Sequence, residues 1–248
     1  MQIMIIRHAD PDYTIDSLTP KGHREAALLS KRFAEIVKNE ITPAGYYVSP
    51  LGRAQLTAKY CLDPLGIVAE EKWWLREFHA LINRPDVKDR RKVTWDWLPE
   101  DWANDERFYQ YDHWFEHEVM TEAHVKEEYD AVTGNLDQLL AEHGYVRDGH
   151  LYRPEKPNND TIIFFCHFGL ECVLLSHLLN ISPMQLWHGT VAAPSSITTL
   201  VTEERRQGIA SWRMLRFGSI DHLVMGNELP STHARFCECY MNEEERHD

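Results

Sequence analysis

Residues 2–8 read QIMIIRH, a short apolar run that ends in two cationic side chains. Apolar runs of about four to eight residues are typical of strands that are buried on both faces of a parallel sheet. Two later segments repeat the pattern: Tyr46–Val48 leads to Arg53, and Ile162–Cys166 leads to His167. Apolar residues at helical spacing follow each segment, so the three segments predict the strand–helix units of an α/β protein.

Strand and helix patterns alternate along most of the chain, which predicts a three-layer α/β/α sandwich with a mostly parallel central sheet. The stretch from about residue 84 to 130 departs from this pattern. Six of the eight tryptophans lie between Trp73 and Trp114, among many charged residues. We interpret residues 84–130 as a helical, tryptophan-rich insertion that packs as a lid on the main body. Residues 1–248 are expected to form one domain that carries this insertion.

Local signals give finer expectations for three segments. Thr19 and Ser49 each stand before a proline, and a capping side chain followed by proline is the pattern of a helix start. Trp73–Leu75 is expected to be a short strand, and one long helix is expected over about residues 120–142.

The composition is that of an ordinary globular protein, with 43% hydrophobic and 26% charged residues. The 39 acidic residues exceed the 26 basic ones and give a net charge of −13, which argues against a general affinity for nucleic acid or anionic membranes. No apolar run is long enough to span a bilayer, and the first residues do not resemble a secretion signal. The odd number of cysteines, five, then favours reduced thiols and a cytoplasmic location.

The polar residues after the three strands are the candidates for function. Ligands of open α/β sheets bind outside the carboxyl ends of the strands, so Arg7, His8, Arg53 and His167 are expected to face one cleft. Two arginines and two histidines make this cleft cationic in an acidic protein. A compact dianion is the ligand that fits, because guanidinium groups match the geometry of phosphoryl oxygens and helix N-termini add oriented N–H groups.

A histidine beside a phosphate can act as the nucleophile and form a phosphohistidine. The arginines and the second histidine would then hold the transferring group and neutralise the charge on its oxygens. A carboxylic acid is still needed to protonate the leaving alkoxide. Glu77 is the candidate, because its aromatic neighbours would desolvate it and raise its pKa. Asp10 and Asp12 lie close to His8 in sequence and remain alternatives for the acid.

These segments, taken in order, resemble the histidine phosphatase, or phosphoglycerate mutase-like, superfamily over roughly residues 1–81 and 161–223. Arg7-His8-Ala9 is similar to its Arg-His-Gly signature, with alanine in place of glycine. The other stretches that carry the resemblance are Leu18–Ala26, Ser49–Thr57, Leu75–Glu77, His167–Gly169 and Asp221–Leu223. Within the first of these, Glu25 stands where the family has glutamine.

The resemblance implies a two-step phosphatase reaction that needs no metal and no other cofactor. His8 would attack phosphorus, while Arg7, Arg53 and His167 bind the phosphoryl oxygens. Glu77 would give a proton to the leaving group and then accept one from water. The partner expected is a small phosphorylated substrate.

Further expectations concern substrate binding and two alternative functions. Arg90 and Arg91 are expected to contact an anionic group of the substrate, as a basic segment of the mutases does. A phosphoglycerate-type phosphomutase is the first alternative, and a non-catalytic protein that binds a phosphorylated ligand is the second. Exposed aromatic side chains of the insertion are expected to suit a homodimer contact.

Overall fold

The computed structural model describes residues 1–233 and 235 of the chain. A central sheet carries helices on both faces, as the sequence predicts for an α/β protein. The strands are β1 Gln2–Arg7, β2 Pro11–Asp12, β3 Ser17–Leu18, β4 Thr42–Val48, β5 Glu70–Glu71, β6 Leu81–Ile82, β7 Lys92–Val93, β8 Tyr145–Asp148, β9 Leu151–Pro154, β10 Asp160–Cys166, β11 Ile197–Arg206 and β12 Ile209–Ser219. The α-helices are α1 Pro20–Asn39, α2 Gly52–Leu62, α3 Pro99–Trp102, α4 Glu118–Glu122, α5 Val125–Glu142, α6 Phe168–Leu179, α7 Pro183–Gly189 and α8 Asp221–Met225.

The sheet has eight strands in the order β5-β4-β10-β1-β11-β12-β9-β8. Strands β5, β4, β10 and β1 are parallel, and the other four continue the sheet with antiparallel pairs. The sheet is therefore mixed, whereas the sequence predicted a mostly parallel one. The reason is local: β8–β9 and β11–β12 are hairpins, and strands joined by a short turn can pair only in antiparallel fashion.

The register of the parallel strands brings their carboxyl ends level. Arg7 pairs with Cys166, and the backbone N–H of His8 donates to the Cys166 carbonyl at 2.9 Å. On the other side of β10, the Ser49 N–H donates to the Phe165 carbonyl at 3.0 Å. The residues that follow β1, β10 and β4 therefore lie side by side at one edge of the sheet.

Strand β1 is buried on both faces, which explains its unbroken apolar sequence. Successive side chains of a strand point to opposite faces. Ile3 and Ile5 accordingly join the core under α5 and α6, whereas Met4 and Ile6 pack with Phe33 of α1 in a separate core on the other face.

The predicted insertion consists of short elements rather than long helices. It contains α3, α4, two 3₁₀ turns and the two-stranded ribbon β6–β7, one strand of which precedes residue 84. Its aromatic side chains are anchored in the main core: Trp114 and Phe108 are fully buried, and the Trp114 ring lies 5.8 Å from that of Trp187 in an edge-to-face contact. The action of this insertion as a lid stays a prediction.

The local expectations have mixed outcomes. The Thr19 hydroxyl accepts from the Gly22 N–H at 3.0 Å and caps α1 as predicted. Ser49 is not the cap of α2, which begins three residues later without a side-chain cap. Trp73–Leu75 forms a 3₁₀ turn instead of a strand. The long helix is interrupted at His124, whose φ of 54° ends α4 and precedes α5.

Two expectations fall beyond the part of the chain that the structure describes, namely those for Cys237 and Cys239 as reduced thiols. The described cysteines Cys61, Cys166 and Cys172 are buried free thiols. Within residues 1–233 and 235, no helix combines the length and apolar character that crossing a membrane requires.

Candidate active site

Four basic side chains meet at the carboxyl edge of the parallel strands. Arg7 ends β1 and His8 follows it, Arg53 lies in the first turn of α2, and His167 immediately precedes α6. The ring centroids of His8 and His167 are 5.0 Å apart. Exposure is 2% for Arg7, 2% for His8, 8% for Arg53 and 0% for His167. Burying this much cationic capacity is costly unless an anion or hydrogen-bond acceptors compensate it.

The orientation of His8 is fixed by its own backbone. Its Nδ1 lies 2.8 Å from the carbonyl oxygen of Ala9. A carbonyl oxygen only accepts, so Nδ1 carries the proton and donates it. In the neutral ring the lone pair is then on Nε2, the nitrogen that can act as a nucleophile.

His167 is held from the neighbouring strand end. Its Nε2 lies 2.7 Å from Ser49 Oγ, and Ser49 is fully buried where β4 ends. With the serine hydroxyl donating to Nε2, the proton of the neutral ring is on Nδ1, which then becomes a donor for a ligand oxygen. The sequence pattern around Ser49 indicates only a helix cap. Its position directly after a buried strand, like that of His8, is the signal that identifies it.

Arg7 is positioned by two backbone carbonyls. Its Nη1 donates to the Ala192 carbonyl at 2.5 Å and its Nη2 to the His233 carbonyl at 3.2 Å. The guanidinium carbon also lies 5.6 Å from the centre of the Phe168 ring. These contacts hold the guanidinium group in place while leaving Nε for another acceptor.

Arg53 is positioned by Asp16, a residue that the sequence did not indicate. Asp16 Oδ1 accepts from Arg53 Nη1 at 2.6 Å, and its Oδ2 accepts from the Gly52 N–H at 2.7 Å. The second bond satisfies one of the free N–H groups of the first turn of α2. Asp16 adopts a φ of 47°, a backbone region that aspartate tolerates better than most residues. No sequence pattern marks such a contact across 36 residues.

Three polar atoms of this cluster lack a partner among the described residues, namely Arg7 Nε, Arg53 Nε and His167 Nδ1. All three are buried nitrogen atoms. Buried donors are almost always hydrogen-bonded, so such a group of free donors indicates a ligand site. The oxygens of a phosphoryl group have the charge and the acceptor capacity that these atoms require.

The electrostatics favour neutral imidazoles before a ligand arrives. Burial, and then the positive charges of Arg7 and Arg53, hold the pKa of His8 well below its usual range. Burial, His8 and the same two arginines do so for the pKa of His167. At neutral pH, His8 therefore keeps the lone pair that nucleophilic attack needs.

The carboxyl group of Glu77 lies beside this cluster and contacts the first turn of α6. Its Oε1 accepts from the N–H of Leu170 at 2.9 Å and from that of Phe78 at 2.9 Å. Burial raises the pKa of Glu77 against the opposing effects of these N–H groups and of Arg53 and Arg7. Because Oε1 accepts two hydrogen bonds, a proton on this carboxyl group belongs on Oε2 and is available for donation.

The carboxyl group of Asp10 is engaged in a different way. Thr19 Oγ1 donates to its Oδ2 at 2.5 Å, and His233 Nδ1 donates to its Oδ1 at 2.7 Å. Although burial raises the pKa of Asp10, the hydrogen bonds from His233, Ser231 and Thr19 lower it to about 2. An ionised carboxylate with both oxygens occupied does not suit a proton donor, so the geometry favours Glu77 over Asp10.

Comparison with known proteins identifies the family of the chain. The model of the histidine phosphatase superfamily (branch 1) matches residues 3–214. The chain belongs to this superfamily. No curated protein matches the chain in sequence.

Solved structures of phosphatases have the same fold. A mutant of phosphoserine phosphatase from Entamoeba histolytica, in complex with phosphoserine, has 18% identity and a TM-score of 0.54, and the match covers 90% of this chain and 98% of that one. The same enzyme in complex with 3-phosphoglyceric acid has 17% identity and a TM-score of 0.54, and the match covers 90% of this chain and 98% of that one. A mycobacterial glucosyl-3-phosphoglycerate phosphatase in complex with VO3 has 17% identity and a TM-score of 0.54, and the match covers 88% of this chain and 98% of that one. At these identities the likeness establishes the fold alone.

The structure explains one departure from the superfamily pattern, the glutamate at position 25. Glu25, which replaces a glutamine, is fully buried in α1, and its Oε2 accepts from the backbone N–H of Asp10 at 2.8 Å. Burial raises the pKa of Glu25 to about 7. Glu25 therefore holds the loop that follows His8, a role that the sequence analysis did not assign to it.

The late element that carries the family resemblance, Asp221–Leu223, is linked to the backbone of His8 through Ser195. His222 Nε2 lies 2.9 Å from Ser195 Oγ, and the Ser195 N–H donates to the carbonyl of His8 at 3.0 Å. Ser195 adopts a φ of 64°, so its turn depends on such support.

Arg90 and Arg91 lie in the loop between β6 and β7 and are exposed. Arg91 Nε donates to Asn83 Oδ1 at 3.4 Å. The structure gives no contact of either arginine with the four basic side chains, within the residues that it describes. Their binding to the substrate stays a prediction.

Proposed function

We propose that this protein is a phosphomonoester hydrolase that acts on a small phosphorylated metabolite through a phosphohistidine at His8. One observation carries the proposal. The imidazole of His8 has its Nδ1 proton held by a carbonyl and lies beside His167, Arg7 and Arg53, which are buried and retain free donors. This arrangement pairs a nucleophilic nitrogen with an anion-binding site.

In the first step, Arg7, Arg53 and His167 bind the phosphoryl oxygens of the ester. His8 Nε2 forms a bond to phosphorus while the bond from phosphorus to the ester oxygen breaks. Glu77 donates the Oε2 proton to that oxygen, so the alcohol leaves neutral and the carboxyl group becomes ionised. The positive charge that the imidazole gains is compensated by the bound phosphoryl group.

In the second step, the ionised Glu77 accepts a proton from water. The water oxygen forms a bond to phosphorus and the nitrogen–phosphorus bond breaks, which returns the electron pair to His8 Nε2. Hydrogen phosphate leaves, and both His8 and Glu77 regain their starting protonation states. Each step needs only groups that lie at the site.

The cationic groups of the site belong to the protein itself, which supports a reaction that needs no metal ion. Relatives of the same fold are named as phosphatases for phosphoserine and for glucosyl-3-phosphoglycerate, and these names support a small phosphorylated ligand as the substrate. The cytoplasmic location and the homodimer stay predictions from the sequence.

A turnover screen tests the proposal. Sugar phosphates, nucleotides, phosphoglycerates and phosphoamino acids are incubated with the wild-type protein, and released inorganic phosphate is measured with and without a chelator. We expect phosphate release that is insensitive to the chelator and is abolished in His8→Ala. His150→Ala, at an exposed histidine on the β8–β9 hairpin, is the matched control and is expected to retain activity.

The other functions would give different results in the same screen. Transfer of the phosphoryl group to a second hydroxyl without release of phosphate would indicate a mutase. Phosphate binding by wild-type protein without turnover of any ester would indicate a non-catalytic binding protein. Either result would overturn the proposal.

A further inference from the structure

The hairpin β2–β3 lies over the site and is fixed at both its base and its tip. At the base, the Asp10 carboxylate accepts from Thr19 and His233. At the tip, the Asp16 carboxylate binds Gly52 and Arg53. A turn that is held at both ends presents its remaining side chains in defined positions.

Tyr13 is the aromatic residue of this turn. The guanidinium carbon of Arg53 lies 5.2 Å from the centre of its ring, within the range of a cation–π contact. The imidazole of His233 meets the ring edge-on, with centroids 6.0 Å apart. Even so, 58% of the Tyr13 surface remains exposed.

Tyr13 borders the cluster of basic side chains, because its ring contacts Arg53. Burial raises the pKa of Tyr13, the charges of Arg7 and Arg53 lower it, and that of Glu77 raises it. A ring that contacts the buried Arg53 and is still more than half exposed lies at the mouth of the anion-binding site.

We propose that Tyr13 forms one wall of the subsite for the leaving group and selects phosphate esters that carry a flat, largely apolar group next to the ester oxygen. The inference rests on the proposed function. Arg53 contacts the ring, and more than half of the Tyr13 side chain stays exposed beside this phosphate-binding guanidinium group. An aromatic ring in that position favours a second flat group through stacking or edge contacts.

Two esters with similar leaving oxygens test the proposal: benzyl phosphate, which carries a flat apolar group, and ethyl phosphate, which lacks one. Their kcat/KM values are measured for wild-type protein, Tyr13→Ala and Tyr13→Phe. We expect Tyr13→Ala to lower the benzyl-to-ethyl ratio by about 3- to 10-fold. Tyr13→Phe keeps the ring and is expected to keep the ratio. Ile15→Ala, at a 70% exposed residue of the same turn, is the matched control.

A binding measurement separates this inference from the proposed function. In His8→Ala protein, which is expected not to turn over, the affinities of both esters are measured by calorimetry with and without Tyr13→Ala. The benzyl ester is expected to lose about 3- to 10-fold in affinity and the ethyl ester and inorganic phosphate much less. Equal losses of affinity for all three ligands would mean that Tyr13 only positions Arg53. Unchanged affinities would mean that Tyr13 does not contact the leaving group. Either result would overturn the inference, even if the wild-type protein hydrolyses esters.

Discussion

Gly169→Ala is the substitution that tests the assignment of Glu77 most specifically. A Cβ atom at Gly169 would lie 2.8 Å from Glu77 Oε1 and 2.5 Å from Trp95 Nε1. Ordinary van der Waals contact begins near 3.4 Å, so the carboxyl oxygen has to move by about 0.6 Å and the indole by about 0.9 Å. Such a shift weakens the hydrogen bonds from Leu170 and Phe78 that orient the proton donor.

The expected effect follows from the role of the acid. General acid catalysis contributes about 10²- to 10⁴-fold, and a displaced donor forfeits much of this, so kcat for ethyl phosphate is expected to fall by about 100-fold. 4-Nitrophenyl phosphate has a leaving group that needs little protonation, and its kcat is expected to fall by less than about 10-fold. The KM values are expected to change little, because the atoms nearest to the added Cβ belong to Trp95 and Glu77 and not to the basic side chains that bind the phosphoryl group.

Gly134→Ala is the matched control, because a Cβ there meets no atom within 4 Å and the residue lies in the middle of α5. It is expected to keep wild-type kinetics and to gain stability, since alanine favours a helix over glycine by about 1 kcal/mol. Thermal unfolding monitored by circular dichroism checks that both variants are folded. Equal losses for the two esters in folded Gly169→Ala, or no loss, would refute the assignment of Glu77 as the acid.

Three further substitutions test the contacts that hold the site. Asp16→Ala removes the charged acceptor of Arg53 and is expected to lower kcat/KM by about 10- to 100-fold, with most of the effect in KM, as steady-state kinetics would measure. Ser49→Ala removes the partner of His167 and is expected to lower kcat/KM by about 2- to 12-fold; unchanged kinetics would contradict the role of the hydroxyl. Glu25→Gln tests the pH dependence of stability. In the folded protein the pKa of Glu25 is about 7, above its ordinary value of 4.5, so the folded state favours the protonated carboxyl group. The wild-type protein therefore loses stability as the pH rises from about 4.5 through 7 and this group has to ionise. The variant is therefore expected to have a Tm at least about 2 °C above that of wild type at pH 8 but not at pH 4, as calorimetry at both pH values would show.

The sequence was sufficient for the parallel strands β1, β4 and β10 and for the four basic residues at their carboxyl ends, but not for the short parallel strand β5. Their signal is strong because β1 and β10 are buried on both faces, which requires continuous apolar runs, and because ligand-binding residues follow where such strands end. The antiparallel half of the sheet was predicted less completely from the sequence, because its strands are partly exposed and its pairing depends on the two hairpins β8–β9 and β11–β12.

The residues that position the site could not be predicted from the sequence, for a different reason. Asp16, Ser49 and Glu25 each act through one or two hydrogen bonds, between residues that are 15 to 118 positions apart in the chain. No periodicity or spacing records such contacts, because they depend on how distant segments pack against each other. The hairpin β2–β3 meets the start of α2, the end of β4 meets the end of β10, and α1 meets the loop after β1. The insertion over residues 84–130 is predicted from the tryptophans and stays a prediction, and the short turns of this segment have no regular period that would have predicted their bounds.

Trapping of the phosphorylated enzyme tests the central claim most directly. Wild-type protein is mixed with a ³²P-labelled ester that it hydrolyses, quenched in alkali, and digested for mass spectrometry, with His167→Ala and His8→Asn treated in parallel. The account predicts one phosphoryl group on the peptide that contains His8, attached to the ring nitrogen Nε2, and none in His8→Asn. Label on another residue, or turnover by His8→Asn at the wild-type rate, would contradict it.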